Sequence, residues 1–250
     1  MFSHWRRLRL SLLTVLTTTA YFALPGTSAD KLDAPIPRVV DASGPIPSDA
    51  IVLFGGKESD LAQWHNRKNG GPAKWIVENG ELVVNGTGDI STKQKFGDAQ
   101  LHLEFAIPAD TAADRKNGNS GIKLHERYEV QIINSYERPS RPETQCGAVY
   151  VQHPPFVNAS RKPGEWQTYD IIFRAPRFDE IGNLVERGTL TVLHNGVLIQ
   201  DNATIYGPTN SDVPAKPLYK KPLFLQDHGS PVRFRNVWIR PLTDRDNGSA

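Results

Sequence analysis

Between residues 51 and 242, apolar residues occur in short runs bounded by Gly, Pro, Asn or Asp, and none keeps a helical period for three turns. Residues 101–107 alternate apolar and polar side chains, which predicts a strand with one buried face. Asn195-Gly196 predicts a tight hairpin within 189–200. Further strands are expected near 75–85, 121–125, 127–135, 147–152, 166–174, 222–228 and 232–240. This pattern predicts an all-β domain, and local reasoning leaves a sandwich and a barrel equally open.

The N-terminal segment has the charge order of a secretory signal peptide. Arg6, Arg7 and Arg9 precede an apolar stretch over 10–24, and small residues end it at Ala29. That stretch is too short and too interrupted to span a bilayer. We therefore expect 1–29 to be a signal peptide of an exported, periplasmic or secreted protein. Residues 30–50 read as an extended linker, 51–242 as one folded domain, and 243–250 as a frayed tail.

Charge and cysteine content narrow the choice of partners. Without the three arginines of the N-terminal segment, 26 basic residues face 27 acidic ones, so the mature chain is close to neutral. Nucleic acid and anionic membranes are therefore not expected partners. Cys146 is the only cysteine, so no disulfide can form within the chain, and we expect it to be a small buried residue. The sequence does not indicate an oligomeric state.

Polar side chains on otherwise apolar strands are the candidates for chemistry. In residues 128–133, period two places Glu129 and Gln131 on one face and Tyr128, Val130 and Ile132 on the other. A carboxylate beside an amide can orient sugar hydroxyls, although a simply solvated face is an equally weighted interpretation.

Two further segments offer polar groups at the ends of strands. His228 follows an apolar run and shares a face with Phe224 and Gln226, and strand ends are common positions for functional groups. Asn119 lies in a Gly- and Asn-rich stretch that is either a turn or a ligand-facing loop. Arg233 and Arg235 are interpreted as part of a charged outer face or of a carboxylate-binding row.

The motifs together resemble those of the 3-keto-disaccharide hydrolase domain family, over nearly all of residues 51–242. The matching segments, in order, are Leu53-Phe54-Gly55-Gly56-Lys57 with Trp64, Gly118-Asn119-Ser120-Gly121, Arg127-Tyr128-Glu129-Val130-Gln131, Gly164-Glu165-Trp166-Gln167-Thr168-Tyr169-Asp170, and Gln226-Asp227-His228-Gly229 before Arg235-Asn236-Val237-Trp238. The resemblance implies a concanavalin A-like jelly-roll β-sandwich of two antiparallel sheets. It also implies a site on the concave sheet with Glu104, Asn119, Glu129, Gln131 and His228. The chain departs from the family pattern at Lys123 and His125, which we expect to influence substrate choice. Gln226 is a further expected substrate-binding residue.

The implied substrate suggests an elimination mechanism. A ketone at C3 of a hexose acidifies the C2 proton, so a base can remove it, the glycosidic oxygen leaves C1, and water adds to the enone. We expect Glu129 or His228 to be the base, with the other group, or a divalent cation held by both, polarising the ketone. No cofactor is required by the sequence, and a divalent cation is the one candidate.

Two other functions are weighed against this enzyme. The Glu-x-Asp-x-x-Glu strand of sandwich glucanases is absent from the sequence, which disfavours a two-carboxylate glycosidase. The alternative is a secreted carbohydrate-binding module without turnover. Exposed tryptophans such as Trp64 or Trp75 would favour that module, whereas their apolar neighbours predict that both are buried.

Overall fold

The computed structural model describes residues 37–110, 117–137, 141–209 and 219–242. Its fifteen strands are β1 Ile51–Phe54, β2 Trp64–Asn66, β3 Ile76–Glu78, β4 Glu81–Val83, β5 Ile90–Thr92, β6 Ala99–Ala106, β7 Ser120–Leu124, β8 Tyr128–Ile132, β9 Trp166–Arg174, β10 Arg177–Phe178, β11 Leu184–Glu186, β12 Thr189–His194, β13 Val197–Thr204, β14 Phe224–Leu225 and β15 Arg233–Pro241. Short 3-10 helices cover Glu58–Gln63 and Pro142–Thr144. The all-β prediction is confirmed.

Two antiparallel sheets form a jelly-roll sandwich. The larger sheet has the order β13-β12-β9-β6-β15-β4-β3, with β1 also pairing with β15. The smaller sheet has the order β2-β5-β14-β7-β8, and β10 and β11 form a separate hairpin. Apart from the hairpin of β7 and β8, neighbouring strands in the smaller sheet are far apart in the chain, so this sheet collects side chains from several distant segments.

Local patterns account for the best predicted strands. In β6 the burial alternates as the sequence predicts, with Leu101, Leu103 and Phe105 buried and His102 and Glu104 partly exposed. The hairpin of β12 and β13 turns at Asn195 and Gly196, whose φ values are 53° and 78°. Positive φ at both central residues is the type I′ geometry that this dipeptide favours.

The core lies between the two sheets and supports both. Trp64, Ile122 and Val130 from the smaller sheet and Leu103 and Phe173 from the larger one belong to one buried cluster. Burial of such side chains contributes about 1.5–3 kcal/mol each. The sandwich is thus a single packed unit, and the face of the smaller sheet that points away from this core remains available for a site.

Two polar groups of the core, the Tyr169 hydroxyl and the Cys146 thiol, have partners within it. The Tyr169 hydroxyl on β9 donates to the Gln131 carbonyl on β8 at 2.8 Å and lies 3.0 Å from Cys146 Sγ. Cys146 is 2% exposed, which confirms the prediction of a buried cysteine, and burial raises the pKa of its thiol. These contacts connect the two sheets directly behind β8.

The beginning of the domain is packed earlier than the predicted linker boundary at residue 50. Turn hydrogen bonds join Ser48 to Asp41 and Ala50 to Pro47, and Arg240 Nε donates to both carboxylate oxygens of Asp49 at 2.8 Å. Residues from Val40 onward form one compact unit, and only 37–39 of the N-terminal unit, Met1–Val39, are described. The predicted signal peptide, 1–29, and the predicted tail, 243–250, lie outside the described residues. Within the described ranges, no helix is long and apolar enough to cross a membrane.

Candidate active site

The hairpin of β7 and β8 builds the centre of the site. Its turn has positive φ at His125 (55°) and Glu126 (57°), and Arg127 N donates to Leu124 O at 3.1 Å. This type I′ geometry fixes the strand register. As a result, Lys123 on β7 lies directly opposite Glu129 on β8.

The remaining strands of the smaller sheet extend this pair into a row. Phe224 on β14 pairs with Lys123 on one side and with Ser91 on β5 on the other, and Ser91 pairs with β2. The row across the sheet is His65, Ser91, Phe224, Lys123 and Glu129. Neighbouring positions on each strand point into the core, so these five share the face directed away from it.

Glu129 is a buried carboxylate with one close cation. It is 4% exposed, and its Oε2 lies 3.1 Å from Lys123 Nζ. Burial raises the pKa of Glu129 above its ordinary value, while the Lys123 charge acts in the opposite direction and a charge on His228 adds to the effect of Lys123. A buried carboxylate whose pKa is raised is a candidate for a general base.

β8 is held along its second edge as well as by β7. Tyr150 N donates to Glu129 O at 3.1 Å, and Gln131 exchanges backbone hydrogen bonds with Gly147 and Ala148 at 2.9 and 3.0 Å. The Thr209 hydroxyl accepts from Glu129 N at 3.3 Å. With its backbone bonded on both sides, β8 presents Glu129 from a rigid support.

Charged side chains form a rim along the β5 side of the row, namely Arg67, Asp89 and Glu126. The Ser91 hydroxyl donates to Glu126 Oε1 at 2.8 Å, and Arg67 Nε lies 3.6 Å from the same oxygen. The Arg67 guanidinium lies over the Phe224 ring at 4.8 Å and reaches Asp89 at 4.0 Å. The rim carboxylate of Glu126 is thus partnered by Ser91 and Arg67, and that of Asp89 by Arg67. The carboxylate of Glu129 is partnered by Lys123, at the centre of the row.

Three predicted amides lie on or beside this face. Gln131 occupies the outward position next to Glu129 along β8, and its Oε1 accepts from Ile132 N at 3.0 Å. Gln226 directly follows β14, and its backbone N donates to Gly121 O at 2.9 Å. Asn119 is half-buried and immediately precedes β7. Gln131 and Gln226 thus lie next to the Lys123–Glu129 pair, beside Gly121, whereas Asn119 lies just before the start of β7, four residues before Lys123.

His228 lies at the border of the site. It is exposed in the turn after β14, next to Asp227, whose carboxylate accepts from Gly88 N at 2.8 Å and from Gly229 N at 2.9 Å. Its charge acts on Glu129, but no hydrogen bond joins His228 and Glu129. Within the described ranges, the group in direct contact with the Glu129 carboxylate is Lys123.

The structure separates two of the expected site residues from the others. Glu104 lies on β6 of the larger sheet, where it forms an ion pair with Arg235 at 2.7 Å and accepts from Asn236 at 3.1 Å. The expectation that it shares a sheet face with Glu129 is therefore incorrect. Its register position opposite Arg235 and Thr168 instead makes it part of the outer polar face.

His125 is the second correction. It is 3% exposed, its Nε2 bonds to Phe96 O at 2.8 Å, and its ring packs edge-on against Phe173. Burial lowers the pKa of His125 to about 4. It cannot contact a substrate on the opposite face, because the positive-φ turn directs its side chain into the core.

Sequence reasoning missed the rim residues Arg67, Asp89 and Glu126, and it also missed Ser91 of the row. β2 and β5 have three residues each, which is too short for alternation to be recognised. A turn residue such as Glu126 belongs to no periodic pattern. Only the pairing of β5 with β2 and β14 brings these segments together.

Among the residues for which the structure gives a placement, no group of three or more His, Cys, Asp or Glu side chains is arranged to hold a metal ion.

Comparisons with known proteins identify the family and the fold of the chain. The family model described as a 3-keto-alpha-glucoside-1,2-lyase-like domain matches residues 49–240. A comparison with curated proteins found no match. A crystal structure from Parabacteroides distasonis ATCC 8503, named "putative glycosyl hydrolase", is 40% identical, with a TM-score of 0.77 over 90% of this chain and 100% of the other.

Two more crystal structures of the same name and organism are more distant. They are 24% and 21% identical, with TM-scores of 0.58 and 0.55. The first covers 78% of this chain and 94% of the other, and the second 77% and 99%. At this identity they show the shared fold, whereas the family match and the 40% identical structure support a carbohydrate-active role.

Proposed function

Because the chain belongs to the 3-keto-alpha-glucoside-1,2-lyase-like family, we propose that it cleaves glycosides that carry a ketone at C3 of the sugar ring. The proposed substrates are 3-keto-glycosides and 3-keto-disaccharides. The N-terminal sequence supports action outside the cytoplasm, in the periplasm or after secretion.

The proposed reaction begins with proton transfer from C2 to the Glu129 carboxylate. The electron pair of the C2–H bond moves to the C3 oxygen and forms an enolate. When the C3 carbonyl re-forms, a C1–C2 double bond forms and the C1–O bond breaks, and the departing oxygen takes up a proton. Water then adds its oxygen to C1 and a proton to C2, so the net change is hydrolysis and no oxidant is consumed.

One observation carries this proposal. Glu129 is a buried carboxylate of raised pKa, held by an in-register lysine on a rigid strand. Elimination next to a ketone needs one such base and a stabiliser for the enolate oxygen. Ordinary glycosidases instead need two carboxylates across the glycosidic bond, whereas the partner of Glu129 at the centre of the row is a lysine.

The non-catalytic binding module is less well supported. Trp64 and Trp75 are 0% and 2% exposed, so neither offers an aromatic platform for a sugar ring. Their burial agrees with the prediction from their apolar neighbours. The centre of the site is a charged pair instead, which favours proton transfer over stacking.

The test is a substrate panel with the purified protein. It compares 3-keto-trehalose, 3-keto-sucrose and methyl 3-keto-α-glucoside with the unoxidised parent of each, and every reaction is run with and without EDTA. Released sugar is measured by chromatography. We expect cleavage of the keto sugars only.

The other outcomes separate the alternatives. Saturable binding of intact glycans without cleavage of any keto sugar would contradict the enzyme and favour the binding module. Cleavage of the unoxidised parents would contradict the requirement for a ketone. Loss of rate with EDTA, restored by a divalent cation, would add a metal ion to the reaction.

A further inference from the structure

Lys123 has an unusual position for a lysine. Its side chain is 12% exposed, and Nζ lies 3.1 Å from Glu129 Oε2 and 5.3 Å from the centroid of the Phe224 ring. Both neighbours are its direct cross-strand partners, on β8 and β14. An ammonium group has three donors, and the described residues provide one hydrogen-bond acceptor, Glu129. The group is therefore fixed in place with donors left for a ligand.

The pair is not explained by stability alone. Desolvation of two charges commonly cancels the attraction between them, so buried ion pairs contribute little to folding. A buried lysine and glutamate held in register on a sheet face are more informative about function. Their exact opposition follows from the β7–β8 turn, which is local and rigid.

The spacing of the pair matches the atoms that react in the proposed elimination. In a 3-keto sugar, C2 and the keto oxygen are about 2.4 Å apart, from standard C–C and C=O lengths. A base and a hydrogen-bond donor each act from roughly 2.6–3.2 Å. A carboxylate oxygen and an ammonium nitrogen 3.1 Å apart can therefore contact C2–H and O3 of one sugar together.

We propose that Lys123 is the group that polarises the C3 ketone and stabilises the enolate oxygen while Glu129 removes the C2 proton. This inference rests on the proposed function and adds the second half of its chemistry. Lys123 donates a hydrogen bond to the keto oxygen, and its positive charge faces the negative charge that develops there. The lysine remains a noncovalent ammonium group and returns unchanged when the carbonyl re-forms.

A more limited role makes a different prediction. Lys123 lowers the pKa of Glu129, so it could act only by keeping the base ionised. In that case the Lys123→Met variant would recover the wild-type rate at a pH high enough to ionise Glu129 without it. An enolate stabiliser leaves the variant slow at every pH, because the developing charge has lost its partner.

The experiment measures enolisation apart from cleavage. The probe is 1,5-anhydro-3-keto-glucitol, which has no glycosidic leaving group, and NMR in D2O follows exchange of its C2 proton. Wild type, Lys123→Met, Lys123→Arg and the exposed-lysine control Lys93→Met are compared across pH, alongside cleavage of methyl 3-keto-α-glucoside. We expect the maximal exchange rate, reached at high pH, to be about 100-fold lower for Lys123→Met than for the wild type. It should be partly restored in Lys123→Arg and unchanged in Lys93→Met.

The outcomes distinguish a failure of the proposed function from a failure of the role proposed for Lys123. If the wild type neither exchanges nor cleaves any keto sugar, the proposed function itself is wrong. If the wild type cleaves and Lys123→Met reaches the maximal exchange rate of the wild type at high pH, only the role of Lys123 is overturned. Trapping of a lysine adduct with cyanoborohydride would also overturn it, since the inferred contact is noncovalent.

A second measurement does not depend on folding of a Lys123 variant. Glu129→Gln keeps Lys123 and removes the base, so a keto sugar labelled with ¹³C at C3 can bind without reacting. We expect the carbonyl resonance to move downfield on binding, because hydrogen-bond donation polarises the C=O bond. A bound resonance at the position of the free ketone would contradict the contact.

Discussion

Gly121 on β7 lies directly beneath the carboxylate of Glu129 on β8, so that a Cβ at position 121 would come within 2.5 Å of Glu129 Oε1. The two residues are one register step apart on the same sheet face, where Gly121 pairs with Gln131. A side chain is excluded at this position by the candidate base itself. Because Gly121 has no side chain, the Glu129 side chain can occupy the space above it.

Gly121→Ala should therefore damage the site more than the fold. The closest atoms belong to the end of a flexible side chain, which can move away at small cost, while displacement of a reacting group by about 1 Å can cost roughly 100-fold in rate. We expect a loss of cleavage of this order with a small change in melting temperature. Kinetics and thermal unfolding of the same preparation measure both.

The matched control is Gly44→Ala, where no atom lies within 4 Å of the new Cβ. It should keep both activity and stability. An active Gly121→Ala protein would contradict the position assigned to the Glu129 carboxylate.

Substitution of Glu129 should reduce activity, whereas substitution of Glu104 should not. Glu129→Gln removes the proposed base and should lower kcat/KM for a 3-keto-glycoside by about 100-fold or more, the usual contribution of general-base catalysis. Glu104→Gln changes an acid on the other sheet that is occupied by Arg235 and Asn236, and should leave kcat/KM near the wild-type value. Equal losses in the two variants would show that Glu104 contributes to the site after all.

Two buried histidines should make the fold sensitive to acid. Burial lowers the pKa of both His125 and His194 to about 4, from 6.5 in the unfolded chain. The unfolded chain therefore binds protons below pH 6.5 that the folded chain excludes until about pH 4. The contribution of these histidines to stability is therefore fully present above pH 6.5. The free energy of unfolding decreases as the pH falls from 6.5 to 4, by about 2 kcal/mol per histidine at pH 5.

Urea unfolding at pH 7.5 and pH 5 measures this decrease. His194→Gln keeps a partner for Gln167, which bonds to His194 Nε2 at 2.9 Å in the wild type. The variant should lose about half of the wild-type difference between the two pH values. An unchanged difference would mean that His194 does not cause the acid sensitivity.

Asp98 should be a determinant of stability. Its side chain is 2% exposed and accepts two hydrogen bonds from Arg177, at 3.0 and 2.9 Å, and one from Ala175 N at 2.8 Å. Asp98→Ala leaves a partly buried guanidinium without its carboxylate, which costs roughly 3–5 kcal/mol. Urea unfolding measures the loss, and the exposed residue Asp201 provides the control as Asp201→Ala. A loss below that of the control variant would contradict the assigned role.

Much of the fold follows from local sequence patterns. Alternation in β6 and the Asn195-Gly196 turn predict their elements because strand periodicity and type I′ turns depend on neighbouring residues only. The same logic places Glu129 and Gln131 together on the outer face of β8. These predictions needed no knowledge of which strands are neighbours in the sheet.

The same alternation could not say which sheet a strand joins. Glu104 and Glu129 both lie on the polar side of amphipathic strands, and only the pairing of β6 with β9 and β15 separates them. His125 follows Lys123 by two residues, so a continuous strand would place both on one face. The positive φ at His125 ends the alternation and directs its ring to the core.

The sequence by itself determined the all-β class and the polar face of β8, because each depends on residues close together in the chain, and the family resemblance, because it depends on short motifs in a fixed order. Tertiary structure decided that Lys123, and not His228, contacts Glu129, and that Ser91, Phe224 and Arg67 complete the surface. Those contacts join β2, β5, β14 and β7, whose order in the sheet differs from their order in the chain. Long-range pairing of this kind is set by packing of the whole core, which no short stretch of sequence contains.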